Sequence, residues 1–546
     1  MLKNAFILIS SILFFTSCSL KKEDVDLIVW NARIYTVNPD FAVVEAMAIR
    51  GGQIVATGSD ESILGRFEAK DTMKLLGKTV LPGFIDAHCH FTGYATDMWK
   101  CNLSGTQSFE EVLDKIKTYA ASAPMTWIYG RGWDQNDWEI KEYPDKTELD
   151  KLFPNRPVFL KRVDGHAALV NQYALDLMGI TASTKVEGGK VELLNGKLSG
   201  ILIDNAMDLV DLKIPVIKDS LARAYYKKAE QTCFSYGLTG VHDCGVSEHT
   251  IDLLDEEQKA GRLKMKVFAL LSDDTSYYNK WIKKGIYKTE RLKVGGFKVY
   301  TDGALGSRGA CLLRPYSDKK EWSGFLLTSP RRLTQIANQL VETDFQLCSH
   351  AIGDSANRQI LKTYAAALKE KNGKRWRIEH AQVLNESDFS YFKNYHIIPS
   401  IQPTHATSDM YWAKDRLGEQ RLKYAYAYKA LLDTVGIIAL GTDFPVEDIA
   451  PVKTFYAAVE RKDSKGYPNN GFQKENALSR KEALKGMTIW AACAGFEENE
   501  KGSLEAGKFA DFIVLDTDLM TCKADELLKT QVIYTYVNGE KVYSRH

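Results

Sequence analysis

The chain has 546 residues, of which 45% are hydrophobic and 26% charged, with a formal net charge of +1. That balance is ordinary for a globular protein and excludes a basic nucleic-acid binder, so no nucleic-acid partner is expected. The nine cysteines are scattered with no CxxC pair, which leaves neither a zinc ribbon nor a disulfide framework indicated. The length is too great for a single small core and fits several domains or one large barrel with additions.

Taken in order, the chain opens on Lys3, an apolar run over residues 5–15 and Thr16-Ser17-Cys18. A basic start, an apolar core and small residues form a secretory signal. Small residues directly before a cysteine resemble the lipobox of bacterial lipoproteins, although Phe15 stands where a leucine is usual. Residues 1–18 are therefore expected to be a signal ending at Cys18. The mature chain would be exported and lipid-anchored to a bacterial membrane, on its periplasmic or surface face; plain secretion is the alternative. The run is short for a transmembrane helix.

Residues 19–80 read as short strands, with a hairpin turning at Gly51-Gly52. Residues 491–546 have the same character and end on a turn at Asn538-Gly539. Neither end alone has strands enough for a core, so the two are expected to form one β domain. Between them, over residues 81–490, apolar strand-like runs alternate with helical stretches. They end near His88 and occupy 237–243, 265–271, 295–300, 345–350, 376–380, 396–402 and 436–443. Eight strand–helix units fit a (β/α)8 TIM barrel in the α/β class. Residues 95–220 break the rhythm and read as an inserted subdomain shaping the pocket, or else as an irregular structural excursion.

The polar residues fall at strand ends. In Ile85-Asp86-Ala87-His88-Cys89-His90, a side-chain period of two puts His88 and His90 on one face. His350, His380 and Asp443 end later strands. In a barrel all these ends meet at one mouth. Lys298 sits inside a strand, where a lysine must be paired or modified. It could pair with an acid such as Asp302, or be carbamylated into a carboxylate-like bridge. Four histidines, an aspartate and such a bridge suit zinc or a similar ion, which would acidify a water beside Asp443.

These stretches resemble the metal-dependent amidohydrolase superfamily, nearest its amidohydrolase family 3 branch of YtcJ-like and N-substituted formamide deformylase-like proteins. The motifs are Leu81-Pro82-Gly83-Phe84-Ile85-Asp86-Ala87-His88-Cys89-His90, Lys298-Val299-Tyr300-Thr301-Asp302-Gly303 and His350-Ala351-Ile352-Gly353-Asp354. Arg377-Ile378-Glu379-His380 and Gly441-Thr442-Asp443-Phe444-Pro445 continue the set. The resemblance implies a β-sandwich beside the barrel and one or two divalent metals, with His88 and His90 on the first. His350 and His380 would hold the second, carbamylated Lys298 would bridge, and Asp443 would be ligand and general base. It also implies substrate-binding roles for Trp133, His166, Gln402 and His405, and Asp302 joins them as a candidate. The expected activity is hydrolysis of a non-peptide C–N bond in a small amide, formamide or cyclic amide. Deaminases and ester or carbamate hydrolases use the same machinery; a non-catalytic lipid-anchored binder is the reading from another class. A homodimer is a further expectation.

Overall fold

The structure is a computed structural model that describes residues 21–122, 126–370 and 372–545, so the signal and lipobox expectation at Cys18 lies outside the described residues. Eight strands run parallel in one sheet: β1 (Phe84–Cys89), β2 (Leu238–Val246), β3 (Lys266–Ser272), β4 (Leu292–Tyr300), β5 (Gln346–Ala351), β6 (Arg377–His380), β7 (Ile398–Ile401) and β8 (Ala439–Leu440). They are the eight strands expected from the sequence. Strands covered on both faces read as continuous apolar runs, as in Val267-Phe268-Ala269-Leu270-Leu271, all buried.

The intervening helices start on side-chain caps. Ser247 accepts from Thr250 N at the head of Glu248–Lys259, and Ser329 accepts from Arg332 N at the head of Pro330–Leu340. Leu333, Ile336, Ala337 and Leu340 then bury one helical face in the core that surrounds the barrel.

The sheet closes by loops and a side chain rather than by a continuous ladder. Asp443 N donates to His88 O at 2.8 Å and His90 N to Phe444 O at 2.9 Å. The Asp86 carboxylate accepts from Thr442 N at 3.0 Å and Thr442 Oγ1 at 2.7 Å. The result is a nearly closed (β/α)8 barrel.

Two further sheets form the sandwich. One holds Glu23–Trp30, Ala46–Arg50, Gln53–Gly58 and Phe67–Lys74. The other mixes the chain ends: Thr79–Pro82 pairs antiparallel with Phe512–Leu515. Val29, Ile34, Met47, Val80, Phe512 and Val514 share one core, which neither end could enclose alone. Only Gly83 separates Thr79–Pro82 from β1. A Cβ there would lie 2.2 Å from Thr239 Oγ1, so the handover from sandwich to barrel requires glycine.

The stretch between β1 and β2 is not an irregular excursion. It carries a six-stranded mixed sheet from Cys101–Asn102 to Lys197–Asp204, with an apolar core on each face.

Candidate metal centre

His88, in β1, is buried, and Glu379 Oε2 accepts from its Nδ1 at 2.5 Å. His90, just past β1, places Nδ1 2.9 Å from the Cys244 carbonyl. His380, ending β6, places Nδ1 2.7 Å from Gln402 Oε1. A carboxylate or carbonyl acceptor assigns the hydrogen to Nδ1 and leaves the Nε2 lone pair free, the arrangement that metal-binding imidazoles use. The Nε2 atoms of His88 and His90 lie 3.4 and 3.3 Å from Asp443 Oδ1. That oxygen is buried and receives no hydrogen bond. Three facing acceptors at this spacing repel one another unless a cation sits among them.

Asp443 thus stands in two sets of ligand atoms that lie within 4.8 Å of one another, one with His88 and His90 and one with His380 and His405. The rings are contiguous: His88 to His380 is 4.8 Å between centroids, His380 to His350 is 4.5 Å, and His380 stacks on His405 at 5.6 Å. His350 belongs to this cluster, although its Nε2 faces the Gly303 carbonyl at 3.5 Å. Two of the strand ends carry backbone strain, with φ of 73° at His380 and 64° at Asp443. Such conformations cost of order 1–3 kcal/mol each and collect at functional sites.

The electrostatics suit ligands. Burial, together with neighbouring rings and Lys298, pushes His350 and His380 well below the usual imidazole range, so both are neutral at pH 7. Burial would raise Asp443, but His88, His90 and His380 outweigh it and hold its carboxyl well below the usual range. Burial opposes charge on His88; Cys244, Glu379 and Asp443 prevail over it and over Lys298, and its pKa lies well above the usual value. A positive charge at this point, proton or metal, is what the surroundings favour.

Lys298 is fully buried in β4, with Nζ 3.3 Å from His88 Nε2. It makes no ion pair among the described residues, and the pairing with Asp302 is not made. Burial works against its charge, but Tyr300, Cys244, Glu379 and Asp443 outweigh burial and its pKa is raised.

The remaining sequence candidates separate. His166 and His405 line a cavity of about 430 Å³ over the ring cluster, with walls from both the barrel ends and the inserted sheet. His166 Nδ1 is 2.6 Å from Asp204 Oδ1. Trp133 does not line that cavity. It is buried in the inserted subdomain, where Nε1 donates to Leu160 O at 2.7 Å. Gln402 reaches the site only through His380. Asp302 accepts from the backbone N–H of Cys311, Ile352 and Gly353 at 2.8–3.0 Å, tying the loop after β4 to the loop after β5. None of these three lines the cavity: Trp133 packs in the core of the inserted subdomain, Gln402 braces His380, and Asp302 braces two loops.

Glu379 and Asp86 were missed as site residues. Arg377 and Glu379 alternate along β6 and meet inside the barrel, Nη2 to Oε2 at 2.9 Å, both fully buried. An opposite-charge pair two residues apart in an apolar strand was the available signal.

The amidohydrolase family profile matches residues 71–543. The putative amidohydrolase YtcJ of Bacillus subtilis is 30% identical over 522 residues, covering 94% of this chain and 98% of its own. The N-substituted formamide deformylase of Arthrobacter pascens is 28% identical over 542 residues, covering 95% and 98%. The crystal structure of an uncharacterized metal-dependent hydrolase from Pyrococcus horikoshii is similar at a TM-score of 0.74 and 28% identity, covering 91% of this chain and 99% of that one. With a profile match that runs from the sandwich through the barrel to the last strands, the chain belongs to the amidohydrolase family.

Proposed function

We propose that the protein hydrolyses a non-peptide C–N bond in a small amide, formamide or cyclic amide, with Asp443 as general base at a divalent metal centre. The observation that carries this reading is the convergence of His88 Nε2 and His90 Nε2 on Asp443 Oδ1, at 3.4 and 3.3 Å, with that buried oxygen accepting no hydrogen bond. Imidazole and carboxylate donors suit zinc or another first-row ion better than calcium. His88, His90 and Asp443 would hold one ion, and His380, His405 and Asp443 a second, with His350 adjoining. Bound there, a divalent metal supplies Lewis acidity, acidifying a water and polarising a carbonyl.

The chain's own groups account for the rest. Glu379, the Cys244 carbonyl and Gln402 hold three rings in one tautomer and one orientation. Asp443, ionised at neutral pH, accepts a proton from water on its carboxylate and returns it to the leaving nitrogen. The cavity, about 430 Å³, is large enough for a small molecule. If two ions bind, Lys298 as a carbamate adds an anionic oxygen donor beside His88. The deformylase relative's name makes N-substituted formamides the first substrates to try.

The experiment is metal analysis combined with a screen of N-formyl, N-acyl and cyclic amides. Asp443→Asn should lower kcat by about 10²–10⁴-fold. A protein isolated without metal that gains no activity on adding zinc contradicts the reading. Intact mass under mild conditions, showing an added carboxylate on Lys298 or none, separates the two-ion from the one-ion form.

A further inference from the structure

The interior of the barrel carries a polar line that continues below the metal site. Arg377, fully buried at the start of β6, reaches across the sheet. Its Nη2 donates to Glu379 Oε2 at 2.9 Å, to Ala87 O in β1 at 2.5 Å and to Ser400 Oγ in β7 at 3.0 Å. Its Nη1 donates to His242 Nδ1 in β2 at 2.8 Å. Glu379 in turn holds Nδ1 of His88. His242, itself fully buried and outside the cavity wall, is thus joined to a metal-ligand candidate through two side chains.

A guanidinium only donates, so His242 presents the Nδ1 lone pair and carries its hydrogen on Nε2. Its surroundings favour that neutral form. Burial and the cations Arg377, Lys501 and Lys293 hold it well below the usual imidazole range, against Glu379. The ring is seated between Phe268, 4.9 Å away between centroids, and the chain at Gly495. A Cβ at Gly495 would lie 3.1 Å from His242 Nε2 and 3.2 Å from Glu497 Oε2. Gly495 follows the helix Ile489–Ala494 and sits under the barrel. Lys293, near the start of β4, donates to Gly495 O at 2.9 Å and to Phe496 O at 3.1 Å. Gln346, first in β5, donates to Ala494 O at 3.0 Å. Residues 494–496 therefore lie at the end of the barrel opposite the mouth.

We infer that His242 is a positioning residue for the metal centre: seated by Gly495 at the base, it holds Arg377 against Glu379 and so fixes the His88 ring whose Nε2 faces Asp443. Metal affinity at the mouth is then set in part from the opposite end of the barrel. Without the Nδ1 acceptor, an Nη1 hydrogen of Arg377 is left unpaired in the interior, and the guanidinium turns towards the acceptors that remain. Glu379 and the His88 ring move with it. The inference rests on the metal reading above, but it is read from affinity and ligand geometry rather than from turnover.

The test uses the full-length protein, loaded with zinc for chelator competition and with cobalt for absorption spectra. His242→Leu should weaken zinc binding about 3–30-fold and shift the cobalt bands. His242→Gln, which restores an acceptor oxygen, should return to within about threefold of the natural chain. Gly495→Ala alters no polar side chain and presses on the ring from below; it should weaken zinc at least about threefold. If His242→Leu does not fold, Gly495→Ala decides alone. Glu379→Gln/His242→Leu should bind about as weakly as Glu379→Gln, because the two act in series. A role in packing alone would lower the urea midpoints, leave zinc affinity and the cobalt spectrum unchanged, and give no rescue by glutamine. That result overturns the inference, as do additive losses in the double variant. A natural chain that binds neither zinc nor cobalt would remove the metal reading and this one with it; normal binding that the variants leave unchanged would remove this one alone.

Discussion

Glu379 never reaches the cavity, yet it decides which nitrogen of His88 does. Its carboxylate takes the Nδ1 hydrogen at 2.5 Å and is itself held by Arg377. Glu379→Gln keeps the shape and removes the charge, leaving a buried guanidinium without its partner. Zinc affinity should fall about 10–100-fold, measured by chelator competition, with circular dichroism confirming the fold. The metal-ligand candidates were legible because histidines and an aspartate at successive strand ends are an uncommon pattern. The supports were not legible in the same way. Asp302 and Gln402 are polar residues in site-like motifs, and only their partners show that each braces another group: backbone N–H for Asp302, His380 for Gln402.

Among the elements, the seam between β8 and β1 carries the greatest constraint. A Cβ at Gly441 would lie 2.5 Å from His88 N and 2.8 Å from Asp86 Oδ1. Those are the atoms that close the barrel and position His88. Gly441→Ala should cost about 1–3 kcal/mol, the range for overpacking a filled interior. It should also lower metal content at a fixed zinc concentration, because the displaced backbone is that of a ligand. Denaturant midpoints and metal stoichiometry on the same sample test both halves. All eight barrel strands were readable as apolar runs in the sequence. The seam was not, because it is made by residues 86–90 meeting residues 442–444, and no local pattern records that meeting.

At the scale of the whole molecule, the sandwich is fastened to the base of the barrel by a buried ion pair. Lys266 Nζ, at the start of β3, donates to Asp511 Oδ2 at 2.7 Å, with side chains 3% and 4% exposed. Burial lowers Lys266 from 10.5 to about 8, because Asp511 recovers only part of the lost hydration. Between those values the unfolded chain keeps a proton that the folded chain has released, so folded stability rises with pH. Relative to Lys266→Met, the natural chain should gain up to about 3 kcal/mol from pH 8 to pH 10.5. Urea midpoints for both proteins across that interval check it; a constant difference between them would contradict the argument.

The sequence by itself determined the barrel, the composite β domain and the residues that converge at the barrel mouth. Those follow from periodicity, from the clustering of strands at both ends and from the rule that parallel strands share one C-terminal face. Only the tertiary structure decided which ring nitrogens are free, that His405 stands at ligand distance from Asp443, and that Trp133, Asp302 and Gln402 lie outside the cavity wall. The physical reason is the same in each case. A hydrogen bond or an ion pair depends on atoms a few ångströms apart that can be hundreds of residues apart in the chain, as His88 and Glu379 are.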